Sequence, residues 1–166
     1  AEVSEAVASD PHHSLAPAEK STRKKKLALY QDDFSALPQS QKLKRRMQLE
    51  KTGLKQAAIR LSDGANYHEA RTTTVLVNSL GQKIIRQSTG ASVWIGLYAA
   101  DEKHGQQAAW EGTAARSLQG LGDWNVLAVR AADEARCLLG AKPIPTGPMA
   151  VVFNNQQSGV LFSGLL

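Results

Sequence analysis

The chain has one cysteine, Cys137, among its 166 residues, so it can form no internal disulfide. A single thiol fits a reducing compartment, and a cytoplasmic location is the expectation. Aromatic residues make up only 5%, so a core has to come mainly from Leu, Val, Ile and Ala. No apolar run reaches the roughly 18 residues a membrane helix needs. Ala1 to Asp10 carries neither a basic start nor a long apolar centre, which excludes a secretory signal in that stretch. The chain begins with Ala1 rather than Met, as expected of a mature product, a fragment or a trimmed form.

Metal and catalytic patterns are also missing. His12, His13, His68 and His104 do not fall at the spacing of a metal pair on one helix, and no cysteine pair assists them. Cys137 lies among alanines and leucines in a helical pattern and is expected to be a buried structural thiol rather than a nucleophile. Asp32–Asp33 and Asp101–Glu102 are adjacent acids at expected turns, where turn formation and solubility account for them. "DGANYHE" lacks the alternating acids and closing Glu of a calcium loop. There is no phosphate-binding glycine loop, and "GASVWIG" lies in a strand pattern.

What is present is basic charge, unevenly placed. The formal net charge is +5, and "KSTRKKK" (Lys20 to Lys26) and "KLKRR" (Lys42 to Arg46) hold most of the density. Such clusters can track a phosphate backbone. Without zinc-finger, RRM or KH signatures they read equally as a solvated linker and the wet face of a helix. A basic nucleic-acid-associated module is therefore the alternative reading rather than the first.

The pattern along the chain predicts an α+β fold. Residues 1–26 read as a linker, and "LALYQDDFSALP" as an extended approach with apolar anchors. A helix is expected from Ser40 to about Leu61, with Leu43, Met47, Leu54, Ala57 or Ala58, and Leu61 on its apolar face and Gly53 weakening its middle. "LSDGANYHE" reads as a loop and "ARTTTVLVNS" as a strand. "NSLG" is a turn, "QKIIRQS" a return strand, and "ASVWIGLYAA" and "QQAAWEGTAA" two more, separated by "DEKHG". The sum is an antiparallel meander of about four strands. A second helix follows over "WNVLAVRAADEARCLLGAK", with Leu127, Ala131, Ala135 and Leu138 as its better apolar stripe. "PIPTGP" marks a boundary. "MAVVF" then reads as a short buried strand, and a last helix begins near Gln157. The expected organisation is a linker over 1–26, a central domain over 27–145, and the beginning of a truncated C-terminal domain over 146–166.

Several segments, in order, resemble the TldD/PmbA family: "LALYQDD", "MQLEKTGLKQAAIRL", "GANYHEARTTTVLVNSLGQ" and "GLGDWNVLAVRAADEARCLLGAKPIPTGPMAVVF". The likeness covers roughly Leu27 to Leu166 and leans toward the PmbA (TldE) branch. It implies a part in an intracellular zinc-dependent peptidase that processes unfolded peptides such as peptide precursors and antitoxins, a family once labelled modulators of DNA gyrase. In the TldD branch a helix carries His-Glu, three residues and a second His. Such spacing puts two imidazoles and a general base on one zinc site. By the resemblance, the first His and Glu positions fall at Ser163 and Gly164 in "SGVLFSGLL". Neither residue can ligate zinc or act as a base. The resemblance therefore implies a non-catalytic subunit, inactive alone, with no cofactor of its own. Zinc is expected in a TldD-like partner, and the other expected associates are a peptide substrate and, at full length, a dimer mate. No membrane contact is expected.

Overall fold

A computed structural model of the chain describes Leu15, Pro17, Ala18, residues 27–154, Ser158, Gly159 and residues 162–164. The expected linker over 1–26 and its basic run Lys20 to Lys26 thus lie almost wholly outside the described residues. The fold is α+β. A 3-10 turn (Phe34–Ala36) leads into helix α1 (Gln39–Leu54). Three strands follow: β1 (Ile59–Val77), β2 (Lys83–Asp101) and β3 (Gly105–Ala115). A second 3-10 turn (Gln119–Leu121) precedes helix α2 (Asn125–Cys137). The strands form one antiparallel sheet in the order β1-β2-β3, as short connections dictate.

The meander has three strands rather than four because one expected break, at Gly90, does not interrupt the ladder, and its first strand starts earlier than expected. "LSDGANYHE" is strand, not loop: it forms most of the first half of β1. Its Asp63-Gly64 turn chemistry is spent on a β-bulge instead. The register shifts between Ser62 and Gly64, with Gly64 at φ 94°, and the extra residue bends the strand without ending it. Likewise Gly90 does not separate two strands; β2 runs through it, paired with Ala70. The predicted tight turn does form between β1 and β2. The Asn78 side-chain oxygen accepts from the backbone N–H of Leu80 and Gln82, each at 3.0 Å, and Gly81 takes positive φ.

One face of the sheet carries the core. Alternate residues of β2, namely Ala91, Val93, Ile95, Leu97 and Ala99, are buried, with Ala65 of β1 and Ala109 of β3 beside them. Helix α2 lays Leu127, Ala128, Ala131, Ala132 and Ala135 on this face. The many small alanines let helix and sheet approach closely, and the core is made mostly of Leu, Val, Ile and Ala, as the scarcity of aromatics requires. Leu138, by contrast, is exposed. Cys137 is exposed as well: it lies two residues beyond buried Ala135, roughly 200° further around the helix.

Helix α1 is shorter than its periodicity predicts, and it is rotated. It ends at Leu54, and Ala58, at φ 63°, turns the chain into β1. Leu43, Met47, Leu54 and Leu61 are all exposed. The buried residues of α1 are Leu49 and Gly53. Gly53 decides the rotation, because a Cβ there would come 2.9 Å from Leu97 and 3.2 Å from Ile95. The helix thus presses its least bulky residue into the core, and the leucine stripe is left outside. On the same inner side Lys42 pairs with Glu69 of β1 at 2.7 Å. The Thr52 hydroxyl reaches Asn125 of α2 at 3.0 Å, and the Arg45 guanidinium lies 5.9 Å from the centre of the Trp124 ring.

The "MAVVF" segment is not a buried strand. Residues 149–153 form neither helix nor strand and are exposed, Val152 at 95%. A β-branched run forms a strand only when a neighbouring edge accepts its hydrogen bonds, and among the described residues none does. Beyond it Ser158, Gly159, Phe162 and Ser163 are helical; Gln157, the expected start, lies outside the described residues. No helix among the described residues is long and apolar enough to cross a membrane.

Candidate functional site

The approach segment is tied to the sheet by two side chains. Thr89, buried in β2, accepts a hydrogen bond from the backbone N–H of Gln31 at 2.8 Å and donates its hydroxyl to the carbonyl of Arg116 at 2.8 Å. Its own N–H donates to the carbonyl of Leu29 at 2.9 Å. One hydroxyl thereby joins the entry segment, the middle of β2 and the exit of β3. Asp33 accepts from the N–H groups of Leu118 and Gln119 at 2.7 and 3.1 Å, and so fixes the turn before α2. Asp32 pairs with Arg71 at 2.8 Å and accepts from Ser35 at 2.9 Å. Desolvation raises the Asp32 pKa, but the hydrogen bonds from Arg71 and Ser35 outweigh it and hold the carboxyl below its ordinary range. The Asp32–Asp33 pair is therefore an anchor of the fold, beyond turn formation and solubility. Asp101 does act at its turn, accepting from the backbone of Lys103 and pairing with His104 Nδ1 at 2.9 Å.

A second anchor links α1 to the sheet. Glu69 accepts from Lys42 Nζ at 2.7 Å and from the Tyr67 hydroxyl at 2.6 Å. Burial raises the Glu69 pKa, yet Lys42 and Tyr67 together lower it further, and the net shift is downward. Burial first, and the Glu69 carboxylate second, push the Tyr67 hydroxyl well above its ordinary value. Tyr67 stacks on Trp124 with ring centres 5.2 Å apart. None of these partners is visible as a motif; the alternation in β1 shows only that Tyr67 and Glu69 share a face.

Among the described residues, neither α1 nor α2 covers the opposite face of the sheet. Alternation puts Gly90, Ser92, Trp94, Gly96 and Tyr98 of β2 on it, with their cross-strand partners His68 and Ala70 of β1 and Trp110, Gly112 and Ala114 of β3. Each of two tryptophans has a glycine as its cross-strand partner. Trp94 faces Gly112 and Trp110 faces Gly96 across the β2–β3 ladder. A Cβ at Gly96 would come 2.4 Å from Trp110 Nε1, and one at Gly112 would come 3.0 Å from Trp94 Cβ. The absent side chain of Gly96 makes room for the Trp110 indole. Trp110 Nε1 donates to Asp63 at 3.1 Å, so the bulge in β1 holds its orientation. Trp94 and Trp110 stay 39% and 52% exposed, a large share for side chains of this size.

Beside this aromatic platform is an open groove of about 540 Å³ floored by Ala70, Gly90, Ala91, Ser92, Ala114 and Ala115, with His68 and Arg116 at its rim. His68 and Ser92 are cross-strand partners. Among the described residues no carboxylate hydrogen-bonds to His68, so nothing orients it as a general base for Ser92. The groove is lined mainly by small residues with a few polar side chains.

Among the described residues no three of His, Cys, Asp and Glu come together as a metal site. Ser163 is helical and exposed, and Gly164 follows it in a turn; neither lines the groove. His12 and His13 lie outside the described residues. The other expected basic cluster, Lys42 to Arg46, is on α1. The uncovered face was partly legible in advance, since the alternation of β2 sets Trp94, Gly96 and Tyr98 apart from the apolar side. The anchoring role of Thr89 was not.

No protein-family model matches the chain, and no curated protein matches it. Among solved structures, the chain is similar to a protein of Bacteroides thetaiotaomicron provisionally named a modulator of DNA gyrase, with a TM-score of 0.81 and 20% identity over 99% of this chain. It is also similar to a protein of Thermotoga maritima provisionally named a modulator of a DNA gyrase, with a TM-score of 0.71 and 22% identity over 81% of this chain. At these identities the likeness establishes a shared fold. The chain spans 38% and 30% of those two proteins, respectively.

Proposed function

We propose that this chain is the central part of a PmbA/TldE-like, non-catalytic subunit that pairs with a TldD-like zinc peptidase and helps it hold unfolded peptides. In this reading 1–26 is a linker from a preceding domain, residues 27–145 are the central α+β domain, and 146–166 begin a C-terminal domain. The observation that carries the reading is the match in fold, over 99% of the chain, to a protein named for gyrase modulation, the label that the ordered sequence resemblance also leads to. The chemistry of the chain supports it. Ser163 and Gly164 replace a ligand and a base, and the helix-free face offers apolar area suited to a partner or a peptide. The zinc belongs to the partner subunit.

The test is to purify the whole parent protein alone and mixed with a TldD-like partner, then to measure zinc content, complex mass and cleavage of an unfolded peptide. The expected result is no zinc in the parent alone, a stable complex, and cleavage only by samples containing the partner. Stoichiometric zinc in the isolated parent, or no complex, contradicts the reading. A second reading, association with nucleic acid, is favoured by one observation: Lys44, Arg46, Lys51 and Lys55 all lie exposed on or next to α1. Binding of duplex DNA that weakens steeply with salt is its signature.

A further inference from the structure

The outward face of α1 has a regular construction that neither the core nor the groove explains. Leu43, Met47, Glu50 and Leu54 recur at spacings of four, three and four residues, the seam of a helix that packs against another helix. Met47, 63% exposed, Glu50 and Leu54 share one surface depression, whereas Leu43 borders Tyr67, His68 and Glu69 of β1. A surface depression of about 480 Å³ is lined by Lys44, Met47, Gln48, Glu50, Lys51, Leu54 and Lys55. Lys44, Met47, Gln48 and Lys51 have the i, i+3, i+4, i+7 relation of a hole that accepts one knob residue, and Met47, Glu50, Lys51 and Leu54 form the next hole along. Lys44, Lys51 and Lys55 outnumber Glu50 around it.

We propose that this face of α1 docks an amphipathic acidic helix of a partner protein. Its apolar knobs would enter the two holes, and its Asp and Glu residues would meet Lys44, Lys51 and Lys55. The charge selects the occupant. A second copy of α1 would set lysines against lysines, which costs affinity. Nucleic acid would meet the Glu50 carboxylate and the apolar Met47 and Leu54 with no aromatic surface to stack on. An acidic amphipathic helix satisfies both the seam and its flanks. This proposal is independent of the peptidase reading, because it concerns neither the groove nor zinc.

The test uses two labelled three-heptad peptides with leucine at the seam positions, one flanked by glutamates and one by lysines, and a labelled DNA duplex. Fluorescence anisotropy against the full chain measures binding of each. The acidic peptide is expected to bind, and the basic peptide and the duplex to bind at least about tenfold more weakly. The Lys44→Glu/Lys51→Glu variant, with its fold checked by circular dichroism, should lose the acidic peptide by about tenfold or more and gain the basic one. Met47→Ala/Leu54→Ala should weaken the acidic peptide while leaving its charge preference. Equal binding of both peptides, no binding of the acidic one, tighter binding of the duplex, or indifference to the charge reversal overturns the proposal.

Discussion

The β1–β2 hairpin is one continuous ladder with two different halves. Near its base, residues 59–71 and 89–101 lie beneath α1 and α2, and Val93, Ile95 and Leu97 are fully buried. Toward its tip every residue from Thr72 to Val77 and from Lys83 to Gln87 is exposed. The backbone pairing continues through both halves, with register shifts only near the base, and is unbroken from Arg71 opposite Thr89 out to Val77 opposite Lys83. The outer half is no less apolar: Val75, Val77 and Ile85 lie on one face and Leu76 and Ile84 on the other. An isolated two-stranded ribbon is marginal in water. The difference shows that register is set along the whole hairpin while stability comes from only one part of it. The outer half leaves apolar side chains such as Val75, Leu76, Val77, Ile84 and Ile85 exposed on both of its faces.

Truncation within β2 should separate the halves most sharply. Leu97→Ala opens the core under α1 and should cost about 3 kcal/mol, read as a fall in the denaturation midpoint. Thr89→Val sits where the halves meet. It removes the hydroxyl shared by Gln31 and Arg116 and leaves the Gln31 N–H unpaired, an expected loss of about 2 kcal/mol. Glu69→Gln tests the anchor between α1 and the base half, with an expected loss of about 1 kcal/mol at neutral pH.

The pH dependence of that anchor has a fixed sign. The folded Glu69 carboxyl titrates below its ordinary value of 4.5, so its contribution is full above that value and is lost as pH falls through the folded pKa. Glu69→Gln should therefore flatten the acid limb of the stability profile, measured by urea denaturation between pH 3 and pH 7. An unchanged acid limb would place the acid sensitivity elsewhere, with Asp32 the next group to replace. Ala58→Gly relieves an alanine held at φ 63° and should stabilise by about 1 kcal/mol. Ile85→Ala, on the outer half, should change stability by less than about 0.5 kcal/mol. If it instead matched Leu97→Ala, the comparison between the halves would fail.

Much of this fold was readable from pattern. The alternation of Val93, Ile95, Leu97 and Ala99, the Asn78–Gly81 turn and the alanine stripe of α2 follow from local chemistry that the tertiary structure keeps. The errors arise where tertiary partners override local pattern: periodicity ranks side chains by hydrophobicity, whereas packing also ranks them by size and pairing decides whether a strand forms. Gly53 lets α1 approach Leu97, so the helix turns its leucine seam outward. Asp63-Gly64 carries turn chemistry, but a continuing partner strand converts it into a bulge. "MAVVF" has strand composition without a strand to pair with. Of the candidate site, the Trp94-Gly96-Tyr98 face was visible in the β2 alternation. The Thr89 and Glu69 anchors were not, because their partners lie 58 and 27 residues away in sequence.

The most direct test of two unequal halves is amide hydrogen exchange along β2 in the free chain. Protection approaching that of global unfolding is expected from Ala91 to Ala99, and exchange faster by orders of magnitude from Lys83 to Gln87. Uniform protection along the whole strand would contradict the account, because the outer hairpin would then be stable without cover.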